Sequence, residues 1–586
     1  MKKAVLMFIL LSAAVFAQDV ISKNNITLLA LTENASGEFG SVAILDLELR
    51  PGSERVYLET FPMTKVTTQA SLRFAQQIAC KELEIDCSHY DFLFTIRALP
   101  GIVGGPSAGG AATLLVAASL LDKSIPTELA MTGTINSGGL IGPVGGLKQK
   151  VEAAASNSIK TVLLPKGTKN FKEGNVTIDL IDYGKSLNLT VREVSTIGEV
   201  FELALGIPQK VFNESLQMEE RYQNIMRDVA DDLCKRNKGL SEKANVSSAK
   251  NFSERAEQEF NSEAYYSSAS YCFRSNVEYK REWYRIANFS QEELSKKIAV
   301  LKHDAEKVGR EVEARNISTI TDLQTFMAVM ERVDEVLLQV VELSQKIEKN
   351  DTTAGSDLAY AEERMFSAVT WARFFDGQDK HVVINRDRLK ASCAAKISEA
   401  EERYNYVKSV IPDALDATRK DIDLAYVNLG KGRYIMCLYG ASKAKAEADV
   451  LLGLMGVEES RFDEVIDLKL QVARQALVKA QRKQIFPIIA FSYYEYANSL
   501  RAFDRVSALL FAEYSLELAN LDIYFGAPTA PISSKPKIEG VILGLVFILG
   551  MLLGALITFV VWRSAFAKSI QTLQTPPKRR LRGKKR

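Results

Sequence analysis

Hydrophobic residues are spaced in two different ways along the chain, and the change falls near residue 207. Before it, the runs NITLLALT, VAILDLEL and RVYLETF predict successive strands, with the turn PGS at residues 51–53 between the last two. Helix-like and strand-like stretches then alternate as far as Leu205. This pattern predicts a mixed α+β domain over residues 24–206.

The rest of the chain up to Tyr524 contains only three prolines, and its apolar residues recur at intervals of three and four. This rhythm is clearest over residues 294–312 and 323–347, which the polar stretch ARNISTIT separates. We therefore predict a long helical hairpin. Later segments that mix aromatic and small residues are typical of tetratricopeptide-type helix pairs, but their spacing has no fixed period. We predict an all-helical region, which either binds a partner or only packs on itself.

Val541 to Trp562 is an almost unbroken apolar stretch, long enough to cross a hydrocarbon core of about 30 Å. After it, residues 563–586 contain nine Lys or Arg and no acidic residue. The positive-inside rule predicts that this tail is cytosolic. A nucleic-acid-binding patch is the alternative interpretation, but the tail's position beside the apolar stretch favours a role in setting the orientation of a membrane span.

The N-terminus is typical of a secretory signal, with Lys2 and Lys3 followed by an apolar run and the small residues of Val15-Phe16-Ala17. An uncleaved anchor is the alternative, although the apolar run is short for a span. Ten Asn-x-Ser/Thr sequons precede the C-terminal apolar stretch, and the six cysteines are an even number. Both features indicate an extracytoplasmic domain with glycans and disulfides. Local pairing predicts Cys80–Cys87, Cys234–Cys272 and Cys393–Cys437.

Together these patterns predict seven segments. They are a signal peptide (1–17), an α+β domain (24–206), a helical region with the hairpin (207–349), a second, tetratricopeptide-like helical region (350–525), a linker (526–537), a transmembrane helix (538–562) and a basic tail (563–586). The net charge of +2 over 586 residues gives no reason to expect a nucleic-acid partner.

The candidate chemistry lies in a glycine-rich loop that leads into an apolar helix, PGIVGGPSAGGAATLLVAASLLDKSIP, with Ser107 near the helix start. Free N–H groups at such a start stabilise an oxyanion or a phosphate. The sequence fits G-x-S-x-G, but a hydrolase triad needs a histidine, and the chain has only three: His89, His303 and His381. A phosphate-binding loop like that of mevalonate-type kinases is a second interpretation. It is less suitable, because such an enzyme should be located with ATP and an exported domain is not.

The third interpretation pairs Ser107 with a lysine that burial keeps neutral. The segment IGPVGGLKQKVEAAA offers Lys148, which stands next to Leu147 and near Val151, whereas Lys150 is expected to face elsewhere. Chemistry alone favours a solvated Lys148.

A family resemblance decides between these interpretations. The segment MTGTINSGGLIGPVGGLKQKVEAAASNSIKTVLLPKGTKN (131–170) closely resembles the Lon protease domain, as do the loop at residues 104–109 and the helix IGEVFELAL (197–205). The resemblance implies that Ser107 is the nucleophile, that Lys148 is the general base and that Thr132 holds the lysine. It also implies an oxyanion loop, formed by Gly105, Pro106, Ala108 and Gly109.

The sequence departs from this family in two ways. Gly104 stands where an acidic residue commonly precedes Gly-Pro-Ser, and Gly110 stands where a larger apolar residue is usual. No ATPase module is recognisable in the sequence, so substrates are expected to be unfolded or flexible.

We therefore expect an ATP-independent serine endopeptidase with a Ser-Lys dyad, acting on polypeptides at the outer face of the cell membrane. No metal, cofactor or nucleic acid is expected, and the resemblance leaves homo-oligomers open. The alternative is a surface scaffold with a helical interaction domain and an inert Lon-like domain.

Overall fold

A computed structural model describes residues 20–34, 37–61, 66–98, 105–173, 176–382, 384–411, 415–455, 457, 459–521 and 537–573. Four features discussed above lie outside the described residues: Gly104, the predicted signal peptide, the predicted linker up to residue 536 and the tail beyond residue 573. The strands are β1 (Ser22–Asn34), β2 (Gly37–Pro51), β3 (Val56–Phe61), β4 (Tyr90–Ala98), β5 (Leu129–Met131), β6 (Thr134–Ile135), β7 (Ile141–Gly142), β8 (Thr161–Pro165), β9 (Asn170–Glu173), β10 (Val176–Asp179) and β11 (Thr190–Val194).

Five helices accompany these strands: α1 (Val66–Leu83), α2 (Gly109–Leu120), α3 (Leu147–Ser156), α4 (Leu180–Ser186) and α5 (Ile197–Leu205). The helices that follow are α6 (Glu220–Ser241), α7 (Ser247–Asn261), α8 (Tyr265–Ala287), α9 (Gln291–Glu313), α10 (Ile320–Glu348), α11 (Ala354–Trp371), α12 (Arg386–Val410), α13 (Asp416–Gly430), α14 (Tyr434–Leu454), α15 (Phe462–Arg482), α16 (Ile488–Leu500), α17 (Arg505–Ala519) and α18 (Lys537–Leu573). The predicted order of an α+β domain, an all-helical region and a C-terminal apolar helix is confirmed.

The centre of the N-terminal domain is a mixed sheet of seven strands in the order β11-β8-β5-β1-β2-β4-β3. Helix α2 contributes to the core on one face and α3 to the core on the other, because neighbours along β1 point in opposite directions: Leu28 joins the first core and Leu29 the second. Strand β5 pairs in parallel with both β1 and β8 and therefore lies inside the sheet. Residues that follow β5 emerge at an edge that the starts of both helices can reach.

The predicted helical hairpin is present as α9 and α10, joined through the sequon at Asn316. One buried core extends through the helices from Tyr222 to Leu521, and it also includes Leu140 of the N-terminal domain. The three predicted disulfides are present as well: Cys80–Cys87, Cys234–Cys272 and Cys393–Cys437. The last of these joins α12 to α14.

The C-terminal helix belongs to a separate compact unit, Gly526–Arg586. Within it, the 20 residues Phe547–Phe566 are long and apolar enough to cross a membrane, with a mean hydropathy of 1.9. The helix itself continues to Leu573, past the predicted end of the span at residue 562.

Candidate active site

Ser107 lies in a short 3-10 turn, Pro106–Ala108, which leads directly into α2. We call this turn, which holds the serine predicted to be the nucleophile, the nucleophile turn. Gly105 precedes it with a φ of 122°, a conformation that residues with a Cβ rarely adopt. A Cβ on Gly109 would stand 2.8 Å from Cγ2 of Ile135, so β6 approaches the start of α2 more closely than a side chain there would allow. Small residues around Ser107 are therefore required by the local geometry.

Two backbone hydrogen bonds tie this turn to the residues just after β5. The N–H of Gly133 donates to the carbonyl of Ser107 at 3.0 Å, and the N–H of Gly110 donates to the carbonyl of Gly133 at 3.0 Å. Thr132 immediately precedes Gly133 and is fully buried. The residue predicted to hold a lysine thus adjoins the residue that is bonded to Ser107.

The lysine that reaches Thr132 is Lys150. Its Nζ lies 3.1 Å from Oγ1 of Thr132, and only 2% of the residue is exposed. Burial lowers the pKa of Lys150 to about 7, because a charged ammonium is poorly solvated there. A substantial fraction of this amine is therefore neutral near neutral pH, as a general base must be.

The expectation that Lys150 faces away from the site is wrong, and the correction follows from helix geometry. Residues three and four positions apart share a helix face. Leu147, Val151 and Ala154 form the buried row of α3, and Lys150 lies in that row, three positions after Leu147. Lys148 is only partly buried, and the hydroxyl of Thr132 contacts Lys150 instead. The chemistry assigned to Lys148 from the sequence thus fits Lys150 better.

The other sequence candidates are also located. All three histidines are exposed: His89 lies in a 3-10 turn before β4, His303 lies on α9, and His381 lies before α12. Among the described residues, three buried carboxylates are close enough together to share a cation: Asp449, Glu513 and Glu517. Lysines pair with each of them, so the cluster already has its countercharges.

Residues 66–207 match the family described as the Lon protease (S16) C-terminal proteolytic domain. The chain carries a Lon-type proteolytic domain. The match covers the nucleophile turn, Thr132 and α3, and it ends just after α5. No ATPase domain is found in the part of the chain that the structure describes, where the Lon-type domain is followed by helices.

Several curated proteins share this stretch. The chain is 36% identical over 131 residues to Lon protease of Paraburkholderia phytofirmans (22% of this chain and 16% of that protein). It is 28% identical over 173 residues to Lon protease of Methanosphaera stadtmanae (29% of this chain and 20% of that protein). It is 41% identical over 101 residues to Lon protease of Helicobacter pylori J99 (17% of this chain and 12% of that protein). The chain therefore spans at most a fifth of the length of these relatives.

Helices from outside the Lon-type domain pack against its site, and no sequence pattern indicated this packing. Helix α12 contacts the nucleophile turn, and α15 and α17 contact the 3-10 turn Ser137–Gly139. Gly138 has a φ of 71°, and a Cβ there would stand 2.8 Å from Cδ1 of Leu516. The stretch that follows Thr132 is therefore enclosed by helices that begin more than 250 residues later.

Proposed function

We propose that this chain is a serine endopeptidase in which Ser107 is the nucleophile and Lys150 is the general base. The observation that carries the proposal is the bond between Lys150 and Thr132, next to the residue bonded to Ser107. A buried amine with a pKa near 7 is suited to accept the hydroxyl proton of a serine. The Lon-type match of residues 66–207 supports the same reaction class.

The reaction would be acyl transfer to Ser107 followed by hydrolysis. Neutral Lys150 takes the proton of the Ser107 hydroxyl as its oxygen attacks a peptide carbonyl. Backbone N–H groups of the nucleophile turn and the start of α2 would stabilise the oxyanion, although Pro106 has no N–H to contribute. Protonated Lys150 then gives its proton to the leaving amine, and a water molecule hydrolyses the acyl-enzyme ester.

Substrates would be flexible or unfolded polypeptide segments, because helices pack against the site and the described residues include no unfolding module. The candidate span in α18 and the sequons before it support activity at the outer face of a cell membrane. Homo-oligomerisation stays open.

Cleavage of an unstructured protein by the purified full chain tests this proposal. Ser107→Ala and Lys150→Ala should each abolish cleavage, and the double variant should be little worse, because a dyad acts as a unit. Lys148→Ala is the matched control on the same helix and should keep most of the activity. If Lys148→Ala is inactive and Lys150→Ala active, Lys148 is the base. If wild-type protein and Ser107→Ala are equally inactive, the scaffold alternative is favoured.

A further inference from the structure

Helix α12 places three neighbouring side chains against the Lon-type domain. Arg403 donates from Nη2 to the carbonyl of Ile135 at 2.6 Å, and it is 2% exposed. One turn later, the hydroxyl of Tyr406 accepts a hydrogen bond from the N–H of Gly145 at 2.8 Å. Glu402, also buried, accepts a hydrogen bond from Ser71 on α1. This face of α12 therefore makes hydrogen bonds to two backbone groups and one hydroxyl of the Lon-type domain.

The two backbone groups lie on the stretch that connects Thr132 to Lys150. Ile135 pairs with Ile141 in the small β6–β7 ladder, near the Thr132 end. Gly145 lies at the other end, before the turn in which the N–H of Lys150 donates to the carbonyl of Gly146 at 3.0 Å. Fixing both points sets where α3 begins relative to Thr132. The direction of the Lys150 side chain depends on that start.

Arg403 is in turn held by residues of a second helix, α14. Its Nε lies 3.1 Å from Oδ1 of Asp449 on α14, and Asp449 in turn lies 2.7 Å from Nζ of Lys445. All three residues are almost completely buried. The Cys393–Cys437 disulfide also joins α12 to α14. A side chain that is packed and held by an ion pair can fix a backbone atom within a fraction of an ångström.

We infer that α12 is a positioning element of the peptidase site, in which Arg403 and Tyr406 hold the stretch from Thr132 to Lys150. The inference rests on the proposed function. Both residues lie outside the 66–207 match, so this support comes from the helical region of the same chain. Arg403 and Tyr406 would act by positioning, and neither residue needs to touch substrate.

Tyr406→Phe tests the inference most cleanly, because it removes only the hydroxyl that accepts from Gly145. Tyr404→Phe is the matched control. The Tyr404 hydroxyl lies on the same helix, 3.3 Å from Nζ of Lys408, and among the described residues it makes no hydrogen bond to the Lon-type domain. In Tyr406→Phe, kcat should fall about 3- to 10-fold with little change in KM, the size expected for one hydrogen bond. Tyr404→Phe should leave kcat unchanged.

Two further readouts need no cleavage. Amide exchange across residues 141–150 should accelerate in Tyr406→Phe and stay unchanged in Tyr404→Phe. The rate of Lys150 acetylation, measured against pH, should give a higher pKa in Tyr406→Phe than in the wild type. The value should approach the ~10.4 of a free lysine, because a loosened amine is better solvated. Arg403→Lys, which keeps a cation beside Asp449, should act in the same direction.

Wild-type values of kcat, exchange and Lys150 reactivity in Tyr406→Phe would overturn the inference and leave the peptidase assignment intact. A wild-type protein without Ser107-dependent cleavage would overturn the proposed function instead. Exchange and acetylation would still decide in that case whether α12 positions Lys150.

Discussion

Thr132 connects the two sides of the site at the scale of single residues. Its side chain contacts the lysine amine, and its neighbour Gly133 bonds to the backbone of Ser107. Lys150 is buried, and no carboxylate in the described part of the chain pairs with it, so desolvation lowers its pKa. The pH dependence of cleavage should report this environment directly.

Cleavage of a flexible peptide should rise as the pH increases through about 7, because only neutral Lys150 can accept the proton of Ser107. The dependence of kcat/KM on pH measures this, and Lys148→Ala should share the wild-type midpoint. A rate that stays low until about pH 10 would indicate a lysine with an ordinary pKa and would contradict the assignment.

Much of the candidate site could be predicted from sequence, and the choice of lysine shows the limit. The loop around Ser107 is continuous in sequence, so its residues identify it without a fold. The choice between Lys148 and Lys150 depends on which helix face is buried, which adjacency to Leu147 in sequence does not indicate. The three-residue spacing from Leu147 to Lys150 was the signal that could have found it. Arg403 and Tyr406 had no signal, because their partners are about 260 residues away.

At the scale of elements, buried charges hold the helices that pack on the site. Glu517 of α17 pairs with Lys396 of α12 and with Lys445 of α14, and all three are almost completely buried. Burial alone would raise the pKa of Glu517, but the two lysines lower it to about 2. Each lysine also pairs with a second buried carboxylate, Glu399 for Lys396 and Asp449 for Lys445, so Glu517 supplies one of two countercharges to each.

Glu517→Gln should lower the free energy of unfolding by about 1–3 kcal/mol, because Lys396 and Lys445 each lose one of their two buried carboxylate partners. Chemical denaturation of the full chain measures the change. Glu128→Gln, in the exposed pair with Lys160, is the control and should cost less than about 1 kcal/mol. Equal effects of the two variants would show that the buried network adds nothing.

The pKa of Glu517 also predicts how the free energy of unfolding depends on pH in acid. Its pKa in the folded protein is about 2, below the ~4.3 of an unfolded glutamate. Its stabilising contribution is therefore complete above about pH 4.3 and is lost as the pH falls through about 2.

At the scale of the whole molecule, all ten sequons precede the candidate span in the sequence, and a basic tail without acidic residues follows it. The sequence pattern predicted the strands, the helical hairpin and this apolar helix, because each has a local periodicity. It did not predict that the helices enclose the site, since that depends on contacts between distant segments.

Protease added to intact cells should remove the part of the chain before α18 and spare an epitope placed after Arg586, if the tail is cytosolic as proposed. Immunoblotting against both ends measures this, and permeabilised cells, in which both ends should be digested, are the control. Loss of the C-terminal epitope from intact cells would mean that the chain is inverted and that its substrates are cytosolic.

The Cys393–Cys437 bridge would link activity to thiol oxidation. Cys393 and Arg403 lie on the same helix, about 15 Å apart along its axis. If α12 positions Lys150 as inferred, a newly made chain with reduced cysteines would carry a poorly aligned dyad. Thiol oxidation outside the cytosol would then complete the enzyme. Export itself would serve as the activation step, and the proteins of the producing cell would be protected during synthesis.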